Sequence, residues 1–111
     1  MNIEKTKAQM KKGVLELCIL SIISHKESYA SDILDELKAS KLIVVEGTLY
    51  PLLTRLKNEG LLSYRWEESK SGPPRKYYEI TEIGIKVLQE LNIGWEDLVS
   101  AVGKLTKKKT K

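Results

Sequence analysis

Residues 46–66 read EGTLYPLLTRLKNEGLLSYRW, and within this stretch the hydrophobic period changes. Leu49, Leu52, Leu53 and Leu56 recur at i, i+3, i+4 and i+7, the one-sided pattern of an amphipathic helix. Gly60 stands where a helix is often closed by a residue in the left-handed conformation. Beyond it, Leu62, Tyr64 and Trp66 alternate with Ser63, Arg65 and Glu67, which predicts a strand with one face buried. A helix from about Glu46–Thr48 to Glu59 that runs into a strand is the centre of the fold.

Downstream, Ser69 to Pro74 holds a Gly-Pro-Pro sequence and is expected to be a loop. Arg75 to Thr81 is β-prone, so two antiparallel strands would flank a basic tip. Of the neighbours Tyr77 and Tyr78 on one strand, one should pack inward and the other is free to reach a phosphate. From Thr81, a candidate N-cap, a long helix reaches about Leu105. Its apolar residues Leu88, Leu91, Trp95, Leu98, Val102 and Leu105 are spaced 3-4-3-4-3, the rhythm of a helix–helix seam. At 1.5 Å per residue it would extend roughly 36 Å, more than so small a domain can cover. The stripe therefore calls for a second copy of the chain, or for the helix to fold back on its own domain.

Upstream, Val14 to Ile23 is almost wholly apolar and predicts a helix buried on more than one side. Residues 1–12 are polar and Lys-rich, the pattern of a frayed helical lead-in. Ser28 is a candidate N-cap for a helix ending near Ala39, in which Ala30, Ile33, Leu34 and Leu37 share one face. Three short helices followed by a hairpin is the winged-helix order. The expected fold is mainly α with a β-hairpin wing. It divides into a winged helix-turn-helix domain over 1–80, a C-terminal dimerisation helix over 81–105 and a Lys-rich tail over 106–111.

The chain has 111 residues, room for one domain. Its net charge of +4 says little, because Lys107, Lys108, Lys109 and Lys111 supply all of it. The distribution is more informative: residues 38–76 are basic on balance and residues 79–97 acidic. One cysteine, Cys18, excludes an internal disulfide and a cysteine metal cage. A lone cysteine and the lack of a signal-peptide pattern predict a cytoplasmic protein. The Val14–Ile23 run is too short, and with Glu16 too polar, to span a bilayer.

Enzyme signatures are missing. The one histidine, His25, has no ligand or triad partner at suitable spacing, and no phosphate-binding or nucleophile-elbow motif occurs. The adjacent pairs Glu67-Glu68 and Glu96-Asp97 diverge on a strand or helix and make no acid/base dyad. No metal or cofactor is expected. With the leucines of the third helix inward, Thr48, Pro51, Arg55 and Asn58 face out, flanked by Tyr50, Thr54 and Lys57. Such side chains hydrogen-bond phosphates and base edges, and Arg55 suits a bidentate contact to guanine. Pro51 is expected near the first turn, where a missing N–H costs little. Lys70, Arg75 and Lys76 surround the Gly72-Pro73-Pro74 tip, which suits the minor groove or its flanking backbone. The same fold can also serve as a protein-interaction or adaptor module without DNA, and composition does not separate the two readings.

Residues 46–62, together with Gly72-Pro73-Pro74-Arg75-Lys76-Tyr77-Tyr78-Glu79-Ile80-Thr81-Glu82-Ile83-Gly84, resemble the PadR family of bacterial transcriptional regulators. Gly13–Ile23 and Tyr29–Ile33 are similar to that family's first and second helices, so the resemblance covers roughly residues 10–105. It implies a homodimeric winged-helix repressor on a palindromic operator, of the small subclass with a single dimerisation helix. It puts Thr48, Tyr50, Pro51 and Arg55 on the recognition helix, Lys70, Arg75 and Lys76 on the wing, and Tyr29 near the DNA backbone. Some small members bind planar hydrophobic molecules at the dimer interface against a tryptophan of the last helix. Trp95 has the matching place, with Val14, Leu17, Cys18 and Leu88 expected around it. Simple packing of Trp95 in the seam is the other reading.

Overall fold

The computed structural model describes residues 1–70 and 72–107. In chain order the elements are α1 (Ile3–Lys12), α2 (Leu15–His25), β1 (Ser28–Tyr29), α3 (Ala30–Ala39), α4 (Glu46–Asn58), β2 (Leu62–Ser69), β3 (Gly72–Ile80) and α5 (Glu82–Thr106). The strands form one antiparallel sheet in the order β1-β3-β2. Among the described residues no helix is long and apolar enough to cross a membrane.

The expected core exists. Ile19 and Leu20 of α2, Ile33 and Leu37 of α3, and Leu49, Leu53 and Leu56 of α4 are almost wholly removed from solvent. Leu61, Leu62 and Tyr78 close this three-helix cluster from the sheet side. Truncating one of these leucines to alanine costs about 2–5 kcal/mol, because the close-packed surroundings collapse only partly into the gap.

Two helices end in the same device. After α4, Gly60 takes φ +81° while the Leu61 N–H donates to the Leu56 carbonyl at 3.0 Å. After α3, Lys41 takes φ 64° while the Leu42 N–H donates to the Leu37 carbonyl at 2.8 Å. Both are Schellman closures, in which a left-handed residue lets the chain turn back over its own last carbonyls. The second closure places a lysine where glycine is favoured.

α5 starts at Thr81, whose hydroxyl accepts from the Gly84 N–H at 3.0 Å and donates to the Gly60 carbonyl at 2.7 Å. Gly84 lies directly on the Leu61 carbonyl, and a Cβ there would also come within 2.7 Å of Ile80 Cγ1. The first turns of α5 are thereby locked to the junction of α4 and β2. Its later turns, from Leu91 onward, are exposed.

The polar lead-in is helical over residues 3–12, as expected, and opens with a cap in which the Asn2 side chain accepts from the Lys5 N–H at 3.0 Å. Several expectations are corrected. Ser28 does not cap α3. It is a buried member of β1, paired with Tyr78, and its hydroxyl donates to the Lys26 carbonyl. The cap position passes to Tyr29, whose N–H donates to the Asp32 carboxylate at 2.9 Å. Pro51 lies beyond the first turn of α4. It is tolerated because it faces solvent, where the carbonyl one turn earlier, on exposed Gly47, is open to water. Gly72, Pro73 and Pro74 belong to β3 and not to a loop. A bulge opposite Glu67–Ser69 and the free outer edge of this half of β3 remove the demand for their N–H groups. Thr106, expected to open a tail over 106–111, belongs to α5, and residues 108–111 lie outside the described residues.

Candidate nucleic-acid interface

The exposed side of α4 follows from its leucine period. With Leu49, Leu53 and Leu56 buried, Tyr50, Pro51, Thr54, Arg55 and Asn58 line a shallow outer surface. Val45, the residue before α4, offers no side-chain acceptor, so the first-turn amides have no side-chain cap and an anion can take that place. Glu46 in the same turn opposes such an anion.

A groove of about 310 Å³ lies between this helix, the start of α3 and the hairpin. Tyr29, Tyr50, Trp66, Arg75, Lys76 and Tyr78 are among its lining residues. Tyr50 belongs to both surfaces, and makes them continuous. Four residues expected at the site from sequence therefore come together here: Tyr29, Tyr50, Arg75 and Lys76. Pro51 and Arg55 continue the surface along α4. Thr48 is half-buried in the first turn, off both surfaces, and Lys70 is exposed at the far end of the hairpin.

Aromatic rings hold the cations of the wing. The Arg75 guanidinium lies 4.0 Å above the Tyr29 ring, which is tilted against Tyr77 at 4.7 Å. Lys76 Nζ is 4.5 Å from the Tyr64 centroid and 5.6 Å from that of Trp66. Such contacts restrain long side chains while leaving their charge available to an incoming phosphate. Tyr78 is the inward member of the tyrosine pair, 3% exposed. Burial first, and the nearby Tyr50 and Tyr64 second, push its pKa above the ordinary tyrosine value.

Two arginines are held by carboxylates. Arg55 Nε donates to Glu59 at 2.9 Å and its guanidinium lies 3.4 Å from Glu16; the bond to Glu59 and the field of Glu16 raise its pKa. These are exposed pairs, weak enough for a nucleic-acid acceptor to compete with them. Arg65 is held more completely. It donates to Glu67 at 2.8 Å, Glu27 at 2.9 Å and Glu79 at 3.2 Å, and lies over Tyr77. The bonds to Glu67 and Glu27 raise its pKa. This knot joins the hairpin to the turn after α2, and it leaves Arg65 with no spare charge for a ligand.

Trp66 was expected inside and is 63% exposed. The two-residue alternation continues through it, but the hairpin has by then passed the edge of the helical body, so its inward side faces the groove. Its pairing with Lys76 across the strands is the signal that marks it as part of the site.

The residues expected to bind a hydrophobic molecule divide. Val14 and Trp95 line an apolar groove of about 600 Å³ between the end of α1 and the last turns of α5. Leu17, Cys18 and Trp95 line a second one of about 280 Å³ against α3. Partial burial raises the pKa of the Cys18 thiol. Leu88 lines neither. It is 8% exposed and packs in its own chain's core, which also removes it from the proposed seam, because α5 reaches its free stretch only one turn later.

The family model described as "Transcriptional regulator PadR-like family" matches residues 19–90, from α2 into the first turns of α5. The chain belongs to the PadR-like family of transcriptional regulators. Solved structures agree over nearly the whole length. A PadR-like transcription factor from Bacteroides fragilis is 54% identical, with a TM-score of 0.77 over 92% of this chain and 99% of that one. A PadR family regulator from Eggerthella lenta reaches a TM-score of 0.88 at 32% identity, over 96% of this chain and 94% of its own. A PadR-like regulator from Bacillus cereus is 40% identical, with a TM-score of 0.80 over 91% and 99% of the two chains. For this PadR-like chain the winged-helix architecture with its long last helix is therefore established, and with it a place among DNA-binding regulators of transcription.

Proposed function

We propose that this PadR-like regulator is a homodimeric repressor that binds a palindromic operator and is released by a planar hydrophobic ligand. The observation that carries the DNA-binding face is the continuity, through Tyr50, of the outer side of α4 with the cation-bearing groove of the wing. A helix face for base edges beside a basic hairpin for the backbone is what two-part readout requires. Arg55 is the base-reading candidate, Tyr29, Arg75 and Lys76 hold the backbone beside the groove, and Lys70 holds it beyond the hairpin end.

Dimerisation is supported by α5. Leu91, Trp95, Leu98, Val102 and Leu105 are between 38% and 86% exposed, with Val99 beside them. A contiguous apolar ridge of this kind on a small chain marks an interaction surface. A two-fold dimer through α5 would present two equivalent α4 faces, hence a palindromic site. Trp95 borders both apolar grooves, which suits a flat apolar effector whose binding alters the spacing of the two halves.

The test is fluorescence anisotropy of a labelled fragment from upstream of the regulator's own gene, read against salt. The reading predicts micromolar or tighter binding that falls steeply as salt rises. Arg55→Ala should lower discrimination between that fragment and a scrambled one by roughly 5- to 150-fold. Lys76→Ala should weaken both alike. No salt-dependent binding, with capture of a protein partner in its place, would favour an adaptor role. The effector is tested by titrating a planar dye into a Trp66→Phe variant, with unchanged Trp95 emission counting against it.

A further inference from the structure

Trp66 is the largest exposed side chain on the wing, and the DNA-binding reading gives it no role. It is 63% exposed, although Leu62 and Tyr64 on the same side of β2 are buried and half-buried. Its ring meets Tyr64 edge-on at a centroid distance of 6.0 Å, and Lys76 Nζ lies 5.6 Å away. It lines the groove whose other walls carry Tyr50, Arg75 and Lys76. An indole left in water beside two cations and next to the recognition helix is poorly placed for stability and well placed for a ligand with an anionic rim and an apolar inner surface. The sugar–phosphate backbone of DNA has that character: phosphates for Lys76 and Arg75, and the deoxyribose ring faces between them for the indole.

We infer that Trp66 is a DNA-contacting residue, its indole packing against deoxyribose at the edge of the minor groove while Lys76 and Arg75 hold the neighbouring phosphates. The inference rests on the DNA-binding reading of α4 and the wing, and it adds an apolar component to a surface otherwise described by charge. Two features support this occupant over others: the cations on the groove suit a polyanion, and Tyr50 makes the groove continuous with the α4 face. Side chains that wedge at minor-groove edges are commonly apolar, because the groove walls are sugar carbons.

The contact has a signature that phosphate binding lacks. Each neutralised phosphate adds close to one unit to the slope of log affinity against log salt, and an indole on a sugar adds none. The full-length protein is therefore titrated into a labelled mixed-sequence 30-base-pair duplex at several salt concentrations, as wild type, Trp66→Ala and Lys76→Ala. Trp66→Ala should bind about tenfold more weakly, the effect of leaving roughly 60 Å² of apolar surface uncovered, at an unchanged salt slope. Lys76→Ala should lower the slope by about one. In a Trp95→Phe variant, whose only indole is Trp66, the duplex should also shield the fluorescence from acrylamide.

Wild-type affinity in Trp66→Ala, or undiminished acrylamide quenching at saturating duplex, overturns the inference while leaving the DNA-binding reading intact. A reduced salt slope in Trp66→Ala overturns it too, since Trp66 would then only position Lys76. If the wild-type protein does not change the anisotropy at all, the DNA-binding reading fails and this inference fails with it.

Discussion

Glycines 84 and 94 stand on the same helix, and the same substitution should move stability in opposite directions. At Gly84 an added methyl group would run into the Leu61 carbonyl and come within 2.7 Å of Ile80 Cγ1. The obstacle is backbone on one side and a packed side chain on the other, so the start of α5 must lift off the junction that Thr81 ties to Gly60 and Leu61. Overpacking of this kind costs about 3 kcal/mol, against which alanine's better helix propensity returns about 1 kcal/mol. A net loss of about 2 kcal/mol in a domain this small lowers the melting midpoint by roughly 8–16 °C. At Gly94 nothing lies within 4 Å of the added carbon, so Gly94→Ala should raise the midpoint by roughly 4–8 °C through propensity alone. Far-UV circular dichroism melts of the three proteins at one matched concentration measure both shifts, since an assembling chain melts in a concentration-dependent way. An unchanged or higher midpoint for Gly84→Ala would refute the close approach of α5 to Leu61. A lower midpoint for Gly94→Ala would instead put the partner's helix against this turn and set the seam of α5 on the Gly94 side.

The two left-handed helix closures predict a second opposed pair. Gly60→Ala should destabilise and Lys41→Gly should stabilise, each by about 1 kcal/mol, as read from urea unfolding midpoints. Burial holds the Tyr78 hydroxyl protonated in the folded chain to higher pH than in the unfolded one. Its contribution is therefore complete below the ordinary tyrosine value of about 10 and is lost as pH rises from there through the higher folded value. Tyr78→Phe should show a shallower fall in urea midpoint between pH 9 and 11, and a fall as steep as wild type would contradict the assignment. Leu98→Glu places a charge in the middle of the exposed α5 ridge. It should convert a dimer to monomer by sedimentation velocity while the far-UV spectrum stays helical, and a surviving dimer would locate the seam elsewhere.

The parts of the fold visible in the sequence are those governed by local period and local capping. The leucines of α4, the left-handed Gly60 and the Thr81 cap each depend on residues within one or two turns. Where the outcome depended on distant neighbours, reading failed. Ser28 looks like a cap until Tyr78, fifty residues on, pairs with it as a strand. Trp66 obeys the two-residue alternation, but its exposure is decided by where the helical body ends beneath the hairpin. Leu88 fits the 3-4 spacing of its helix, and only the fold shows that its neighbour is the chain's own core. The Arg65 knot draws on Glu27, Glu67 and Glu79 from three segments, and no short motif announces it. The candidate site was legible for a related reason: Tyr50, Pro51, Arg55, Arg75 and Lys76 lie on two elements joined by one strand, so local patterns nearly sufficed.

If the outer face of α4 and the wing form one DNA-binding surface, bound DNA shields both together. Backbone amide hydrogen exchange of the intact protein at low salt, with and without a saturating 30-base-pair duplex, tests this most directly. Exchange should slow over residues 46–55 and 64–78 on adding DNA, and stay unchanged over the exposed turns 95–105 of α5. Protection confined to α1 and α5, with 46–55 and 64–78 exchanging as in the free protein, would contradict it.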